Sequence, residues 1–345
     1  MAEFAFEPEP EVRLAPGETA KEISGRSPWR IAGRRLVRNR IALASLILFV
    51  LIVVVSLLAP VYAHDIAHTD PFTSNLSGTT VVNGKRVDVI QQGGGKLGIG
   101  EIPIGPTGHS NYFVGADNQG RDVMARVLYG GRASLQISVA SAVICCLAAL
   151  LLGLIAGFFR GWVDAFLSRL MDLIWAFPVY LLAISLATVL LTKPGGLKWG
   201  FVTVNPSSLW VPTAIIALIY VPYVYRPVRG QVLSVREKEY VEASISQGAS
   251  NLRLMFAEIL PNVTGPIIVE FTVRLGYAIF TVATLAFLGF AADPTIPDWG
   301  QDISAHYQSI NAGYWWPVLF PSLAIATLIV GINLIADAIA QTFER

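Results

Sequence analysis

The chain has 345 residues, of which 54% are hydrophobic and only 14% are charged. Because soluble domains carry about 25% charged residues, this composition excludes an ordinary soluble protein and indicates a membrane protein. The formal net charge of +1 identifies no class of partner. In a membrane protein the position of each charge along the chain matters more than the total.

The first 40 residues are predicted to be a cytoplasmic N-terminal tail. Residues 1–28 are rich in Glu and Pro, and five arginines follow between positions 30 and 40. The apolar run Ile41–Ala59 is long enough to cross a membrane. A cleaved signal peptide is the alternative, but the tail is long, the run exceeds a usual signal and no Ala-x-Ala follows. We therefore expect an uncleaved first transmembrane helix within residues 41–63.

Residues 64–133 are polar and contain no apolar run of spanning length, which predicts an external loop or domain. His64 and His68 could share a helix face beside Asp65 and Asp70 as a metal site. Since no third ligand follows at a recognisable spacing, we favour solvated interface residues and expect no metal.

Five further apolar runs within residues 134–345 bring the expected number of spans to six. They are Leu135–Phe159, Phe166–Leu191, Leu209–Tyr225, Pro266–Phe290 and Pro317–Ala340. With the N-terminus inside, the inner segments carry 16 Lys and Arg residues and the outer segments carry eight, six of them in the long 64–133 loop. The positive-inside rule therefore predicts that both termini lie in the cytoplasm.

The loop between the fourth and fifth spans is predicted to form two short helices. Apolar residues of the second recur at helical spacing: Leu252, Met255, Phe256 and Ile259. Gly248 can close the first helix at positive φ, Ser250 can cap the second, and Pro261 is expected to end it. A helix-turn-helix could also bind DNA. Because glutamates outnumber its two cations, Lys238 and Arg253, we expect no nucleic-acid partner.

The sequence Glu242-Ala-Ser, followed by Gly248 and Leu260-Pro261, resembles the EAA loop of ABC-importer permeases. Ser244 departs from the usual second alanine. The resemblance implies that residues 235–263 couple this chain to an ATP-binding subunit. It assigns that role to Glu239, Tyr240, Glu242, Ala243, Gly248, Leu260 and Pro261.

Four other ordered stretches resemble the C-type subunit of the oligopeptide/dipeptide/nickel group of these permeases. They are Gly115–Asp122 with Leu128–Arg132, Gly161–Asp164 with Phe177-Pro178, Arg226 to Tyr240, and Phe287–Gly289 with Pro297–Gly300. Val282 stands where many members have a glutamate, and the ending Gln341–Arg345 replaces the usual Asp-Pro-Arg. Both departures leave the substrate open.

The resemblance implies an all-α, six-helix type I ABC-importer permease in the cytoplasmic (inner) membrane of a prokaryote. Its implied partners are a homologous permease subunit, two ATP-binding subunits, an external substrate-binding protein and membrane lipid. No catalytic constellation or Walker A sequence occurs, so we expect no enzyme activity and no cofactor in this chain. The partners would bind ATP and Mg²⁺. A secondary transporter and a membrane-anchored structural or receptor protein remain alternatives.

Two ionisable residues, Glu270 and Arg274, lie within the fifth predicted span. Because such groups are costly inside a membrane, a place on the translocation path is one interpretation. Their i, i+4 spacing also suits a simple ion pair within one helix, and both interpretations stay open.

Overall fold

The computed structural model describes residues 39–343, apart from 83, 93–99, 192–196, 200, 201, 205–207, 292 and 294. The predicted N-terminal tail thus lies almost wholly outside the described residues. In chain order the helices are α1 (Arg40–Leu57), α2 (Ala59–Val61), α3 (Val123–Phe159), α4 (Gly161–Trp175), α5 (Val179–Leu191), α6 (Trp210–Arg236), α7 (Glu239–Ser246), α8 (Asn251–Arg253), α9 (Leu260–Phe287), α10 (Trp299–His306) and α11 (Trp316–Phe343). A π-helical turn follows α2 at Tyr62–Ile66 and α8 at Leu254–Ile259, and a 3-10 turn follows α10 at Tyr307–Ile310.

The helices confirm a multi-span membrane fold. Within the described residues, α1, α3, α6, α11 and the continuous helix Asn251–Phe287 are each long and apolar enough to cross a membrane. The pair α4 and α5 forms a sixth candidate span with a bend of 86°. The first span begins where Asn39 caps α1 by accepting hydrogen bonds from the N–H groups of Ile41 and Ala42.

The third predicted span, Phe166–Leu191, is made of two helices rather than one. α4 ends at Trp175 and α5 begins at Val179, and the chain bends sharply between them. Pro178 explains the position of the break, because the ring of a proline disfavours a helical conformation in the residue before it.

The core lies where α3 packs along α6. A Cβ added to Gly153 would lie 2.8 Å from Val228 Cγ1, and one added to Gly157 would lie 2.7 Å from Val232 Cγ1. The two glycines therefore let the helices approach closely, as small residues do between membrane helices. This contact anchors the end of α6 that leads into the predicted coupling loop.

Three short antiparallel hairpins lie in the predicted external loops. β1 (Thr79–Val82) pairs with β2 (Lys85–Asp88), β3 (Ile90–Gln92) with β4 (Glu101–Pro103), and β5 (Leu197–Trp199) with β6 (Val202–Val204). They add a few strands to a fold expected to be all-α. α3 begins at Val123, well before the predicted span start at Leu135, because Asp122 caps it there.

Candidate functional site

We refer to residues 235–263, from the last turn of α6 to the first turn of α9, as the coupling segment. The chain leaves α6 after Arg236 and enters α7 from Lys238, which is extended at φ −79 and ψ 143. Glu239 and Glu242 lie in the first turn of α7. Carboxylates in the first turn interact favourably with the helix dipole. This interaction helps to stabilise α7, which is too short to be stable alone.

Gly248 ends α7, as the sequence predicts. Its φ is +79. Its N–H donates to the carbonyl of Ile245 at 2.9 Å, and the N–H of Ala249 donates to the carbonyl of Ser244 at 3.1 Å. These two bonds form a Schellman motif, which requires a left-handed residue. Because no atom lies within 4 Å of an added Cβ, backbone conformation alone favours glycine at this position.

The second helix of the coupling segment begins as predicted but does not end at Pro261. Ser250 Oγ accepts a hydrogen bond from the N–H of Arg253 at 3.4 Å. From Asn251 the helix then continues through Pro261 into α9. The prediction that Pro261 ends this helix is wrong. A π-helical turn, which is wider than an α-helical turn, spans Leu254–Ile259 just before Pro261. Such a turn interrupts the regular backbone hydrogen bonds, so a proline, which has no N–H to donate, is tolerated there. The second half of the coupling segment is thus an extension of the fifth span.

α7 packs against this extension through one apolar and one polar contact. Val241 is fully buried in the main core, together with Leu254, Met255 and Ile259. Tyr240 lies beside Glu258 and Asn262: burial and the Glu258 carboxylate raise the pKa of the Tyr240 hydroxyl, whereas a hydrogen bond with Asn262 lowers it. The two halves of the segment therefore form one packed unit.

The outward side of the coupling segment carries large apolar side chains as well as acids. Side chains between 42% and 69% exposed are Tyr240, Ile245, Leu252 and Phe256. Glu239, Glu242 and Ala243 are exposed too, and Leu260 is half-buried. Of the four apolar residues that recur at helical spacing, Met255 and Ile259 are buried, whereas Leu252 and Phe256 are exposed. Exposed apolar groups on so polar a segment are typical of a protein contact surface.

Glu270 and Arg274 form the predicted ion pair within α9. Arg274 Nη2 lies 3.3 Å from Glu270 Oε2. The Arg274 side chain is 12% exposed and that of Glu270 is 22% exposed. The guanidinium carbon of Arg274 lies within 6 Å of three ring centroids, those of Tyr277 (5.0 Å), Tyr223 (5.6 Å) and Tyr220 (5.9 Å). The contact with Arg274 does not give Glu270 Oε2 a hydrogen bond, and buried Arg274 Nε also makes none among the described residues. The pair thus keeps unused hydrogen-bonding capacity.

Sequence reasoning missed a buried polar network between α3 and α10. Arg126 Nε donates to Asp302 Oδ1 at 2.9 Å, and its Nη1 donates to the carbonyl of Pro71 at 2.8 Å. Burial raises the pKa of the Asp302 carboxyl, and Arg126 opposes that rise. His306 Nε2 lies 2.9 Å from Asn118 Oδ1. The network therefore joins the Gly115–Asp122 motif to α10, which no local pattern could indicate.

The histidines considered for a metal site lie apart from this network. His64 Nδ1 is 2.6 Å from Asp65 Oδ1 on the exposed surface. His68 and Asp70 line a polar cavity of about 300 Å³. Across the part of the chain that the structure describes, no three His, Cys, Asp or Glu side chains lie close enough to hold a metal ion.

The described residues thus form several apolar candidate spans, with one exposed, partly apolar helical segment between two of them, which fits a membrane protein that binds a partner through that segment. Comparison with protein families agrees. Residues 149–345 match the family described as the binding-protein-dependent transport system inner membrane component. Residues 27–77 match the N-terminal TM domain of oligopeptide transport permease C. The chain belongs to the binding-protein-dependent permease family, as the resemblance predicts, and it is a permease subunit rather than a secondary transporter or a receptor.

Individual relatives cover most of the chain. It is 32% identical over 319 residues to the dipeptide transport system permease protein of Alkalihalophilus pseudofirmus, covering 92% of this chain and 90% of the relative. It is 28% identical over 332 residues to the glutathione transport system permease protein of Pectobacterium atrosepticum, covering 96% and 95%. A crystal structure of an amino acid ABC transporter with histidines is similar with a TM-score of 0.46 and 14% identity, covering 62% of this chain and 92% of that one.

Proposed function

We propose that this chain forms half of the translocation pathway of an ATP-driven importer and that two separate ATP-binding proteins supply the energy. A homologous permease subunit would form the other half. The exposed side of the coupling segment carries this proposal: it presents Tyr240, Ile245, Leu252 and Phe256 on helices that are anchored to the core through Val241 and α9. The chain contains no Walker A sequence. ATP and Mg²⁺ would therefore bind to the partners.

The same proposal fixes the orientation and the remaining partners. The coupling segment and both termini lie in the cytoplasm, and the membrane is the inner membrane of a prokaryote. An external binding protein delivers the substrate to the opposite side. The excess of Lys and Arg in the inner segments supports this orientation.

Coupling would proceed by differential binding. ATP favours the closed arrangement of the two ATP-binding proteins, and α7 moves with the surface to which it is bound. Glu239, Glu242 and Ala243 would contact the ATP-binding protein, since all three are exposed. Gly248, Leu260 and Pro261 would hold the two helices of the segment at the required angle. The pathway then switches from inward-open to outward-open.

The substrate is a peptide or a similar small solute. This assignment is supported by relatives that are named for dipeptide and glutathione transport. Glu270 and Arg274 are candidates for the pathway, because their unused polar atoms could bind a zwitterionic solute.

Purification of the tagged chain from its own membranes tests the proposal. We expect two ATP-binding proteins and a second permease to co-purify, and the complex to hydrolyse ATP. The chain alone should show no hydrolysis above background. Hydrolysis by the pure, isolated chain would contradict the proposal.

A charge exchange tests the role of Glu270 and Arg274. If they form only an ion pair, the double variant Glu270→Arg/Arg274→Glu restores the uptake that either single change removes. If they bind substrate, the KM for uptake by the double variant stays above that of the wild type. A KM equal to that of the wild type would show that neither residue binds substrate.

A further inference from the structure

α4 turns a polar face toward the protein and an apolar face away from it. Asp164, Ser168, Asp172 and Trp175 recur at i, i+4, i+8 and i+11, so they lie on one side of the helix. On the opposite side, large side chains are between 41% and 79% exposed: Trp162, Phe166, Leu170 and Leu173. The one fully buried residue of α4 is Met171. Polar contacts therefore carry much of its attachment to the rest of the chain.

The first two of these contacts join the start of α4 to α6. Arg229 donates two hydrogen bonds to the Asp164 carboxylate, from Nε to Oδ1 and from Nη2 to Oδ2 at 2.5 Å. The Asp164 side chain is 17% exposed and that of Arg229 is 32% exposed. Ser168 Oγ lies 3.0 Å from the hydroxyl of Tyr225. A paired, partly buried arginine–carboxylate contact fixes the relative orientation of two helices better than a single bond does.

The next contact lies at Asp172, about two helical turns after Asp164. Arg226 Nη2 donates to Asp172 Oδ1 at 2.7 Å. The guanidinium of Arg226 also lies over the ring of Trp175, 3.6 Å from its centroid. Trp175 is the last residue of α4 before the 86° bend. The whole length of α4, up to the bend, is thus bonded to α6.

A further contact reaches the coupling segment itself. Arg160 Nη2 donates to Glu237 Oε1 at 2.6 Å. Glu237 is the residue that follows α6, two positions before α7 begins, and Arg160 forms the turn between α3 and α4. Arg160 and Gly161 both have positive φ, at 55° and 60°. The start of α4 is therefore tied to the start of the coupling segment.

We propose that these contacts make α4, the end of α6 and α7 one rigid body, hinged at the break between α4 and α5. Asp164, Asp172, Arg226 and Arg229 are then positioning residues, which pass a displacement of α7 to α4 and through the hinge to α5. The inference rests on the proposed docking of ATP-binding proteins on α7. It adds a path by which their closure reaches α5, beside the direct packing of α7 on the extension of α9.

Distance measurements between spin labels test the rigid body directly. One pair of cysteines replaces the exposed residues Ala165 in α4 and Gln247 after α7, and a second pair replaces Ala165 and Val189 in α5. Cys145 and Cys146 are first changed to alanine. In the assembled transporter, trapping ATP should leave the first distance unchanged within about 2 Å and should shift the second by more. A larger change in the first distance, or no change in the second, would overturn the inference.

Charge variants test the positioning role. Asp164→Asn and Arg229→Gln should each lower the solute transported per ATP hydrolysed by roughly two- to thirtyfold, while hydrolysis continues. The exchanged pair Asp164→Arg/Arg229→Asp should recover most of that ratio, and Arg169→Gln on the exposed side of α4 is the matched control. Unchanged ratios in both single variants would refute the inference. Absence of ATP-binding proteins from the purified complex would instead refute the proposed function.

Discussion

Among single residues, Gly248 has the clearest structural requirement. Its φ of +79 creates the two bonds that close α7, and no neighbour restricts the volume of a side chain there. A substitution at this position therefore tests backbone conformation rather than packing.

Gly248→Val and Gly248→Asn should behave differently. Valine is strained at positive φ by about 1–2 kcal/mol, whereas asparagine tolerates the left-handed region. Because no atom lies within 4 Å of an added Cβ, the two variants differ mainly in backbone strain. We expect Gly248→Val to insert normally but to lose association with ATP-binding proteins and uptake. Gly248→Asn should keep most of both. Uptake assays at matched membrane abundance measure the difference, and equal uptake by the two variants would argue against the turn as the critical feature.

Residue patterns in the sequence predicted this turn because its determinants are local. Glycine closes α7 and Ser250 caps the next helix within a few positions of each other. The exposure of Leu252 and Phe256 was not predictable in the same way. A π-helical turn follows at Leu254–Ile259, and its period differs from the 3.6 residues that the pattern assumes. The pattern alone therefore does not say which of its apolar residues are exposed.

At the scale of elements, α10 is held at its start by a buried carboxylate. Asp298 Oδ1 accepts hydrogen bonds from the N–H groups of Gly300 at 2.8 Å and Gln301 at 3.3 Å, and Ser134 Oγ donates to Oδ2 at 3.2 Å. The pKa of Asp298 is raised to about 6: burial and the nearby Asp302 carboxylate raise it, and the hydrogen bonds from Gln301, Gly300 and Ser134 only partly oppose that rise. The cap thus connects α10 to α3, but burial makes the ionised form of the Asp298 carboxyl unfavourable.

The raised pKa of Asp298 makes the free energy of unfolding depend on pH. An unfolded aspartate titrates near 3.9, so the folded state holds an extra proton between about pH 4 and 6. The stabilisation from protonated Asp298 is present below that range and is lost as the pH rises through about 6. Asp298→Asn keeps a capping oxygen without the titration.

We expect Asp298→Asn to be more stable than the wild type near neutral pH by an amount on the order of 1–3 kcal/mol, and equally stable near pH 4. Thermal unfolding of the purified protein at the two pH values measures this. A difference that is the same at both values would show that titration of Asp298 does not contribute.

Elements differed in how well the sequence predicted them. Long apolar runs identified the spans, and the break after α4 had a local signal in Phe177-Pro178 that a count of apolar residues ignores. The contact between Arg126 and Asp302 had none. It joins residues 176 positions apart, and only tertiary packing brings them together.

At the scale of the whole molecule, the proposed orientation in the membrane rests on the distribution of positive charge. In a chain without Cys145 and Cys146, single cysteines can replace two exposed residues, Lys85 in β2 and Ser250 in the coupling segment. An impermeant thiol reagent added to whole cells should label position 85. Position 250 should be labelled only after the membrane is opened. Labelling of position 250 in intact cells would show that the chain has the opposite orientation in the membrane.

The most direct test of the account is a photo-crosslinker placed at Leu252, whose side chain is 69% exposed on the coupling segment. In membranes that contain the complete transporter, irradiation should attach this position to an ATP-binding protein, identified by mass spectrometry. The same crosslinker at Lys85 should capture no ATP-binding protein. If position 252 yields no adduct with an ATP-binding protein in a transporter that is active, the coupling segment is not the site at which ATP-driven motion enters this chain.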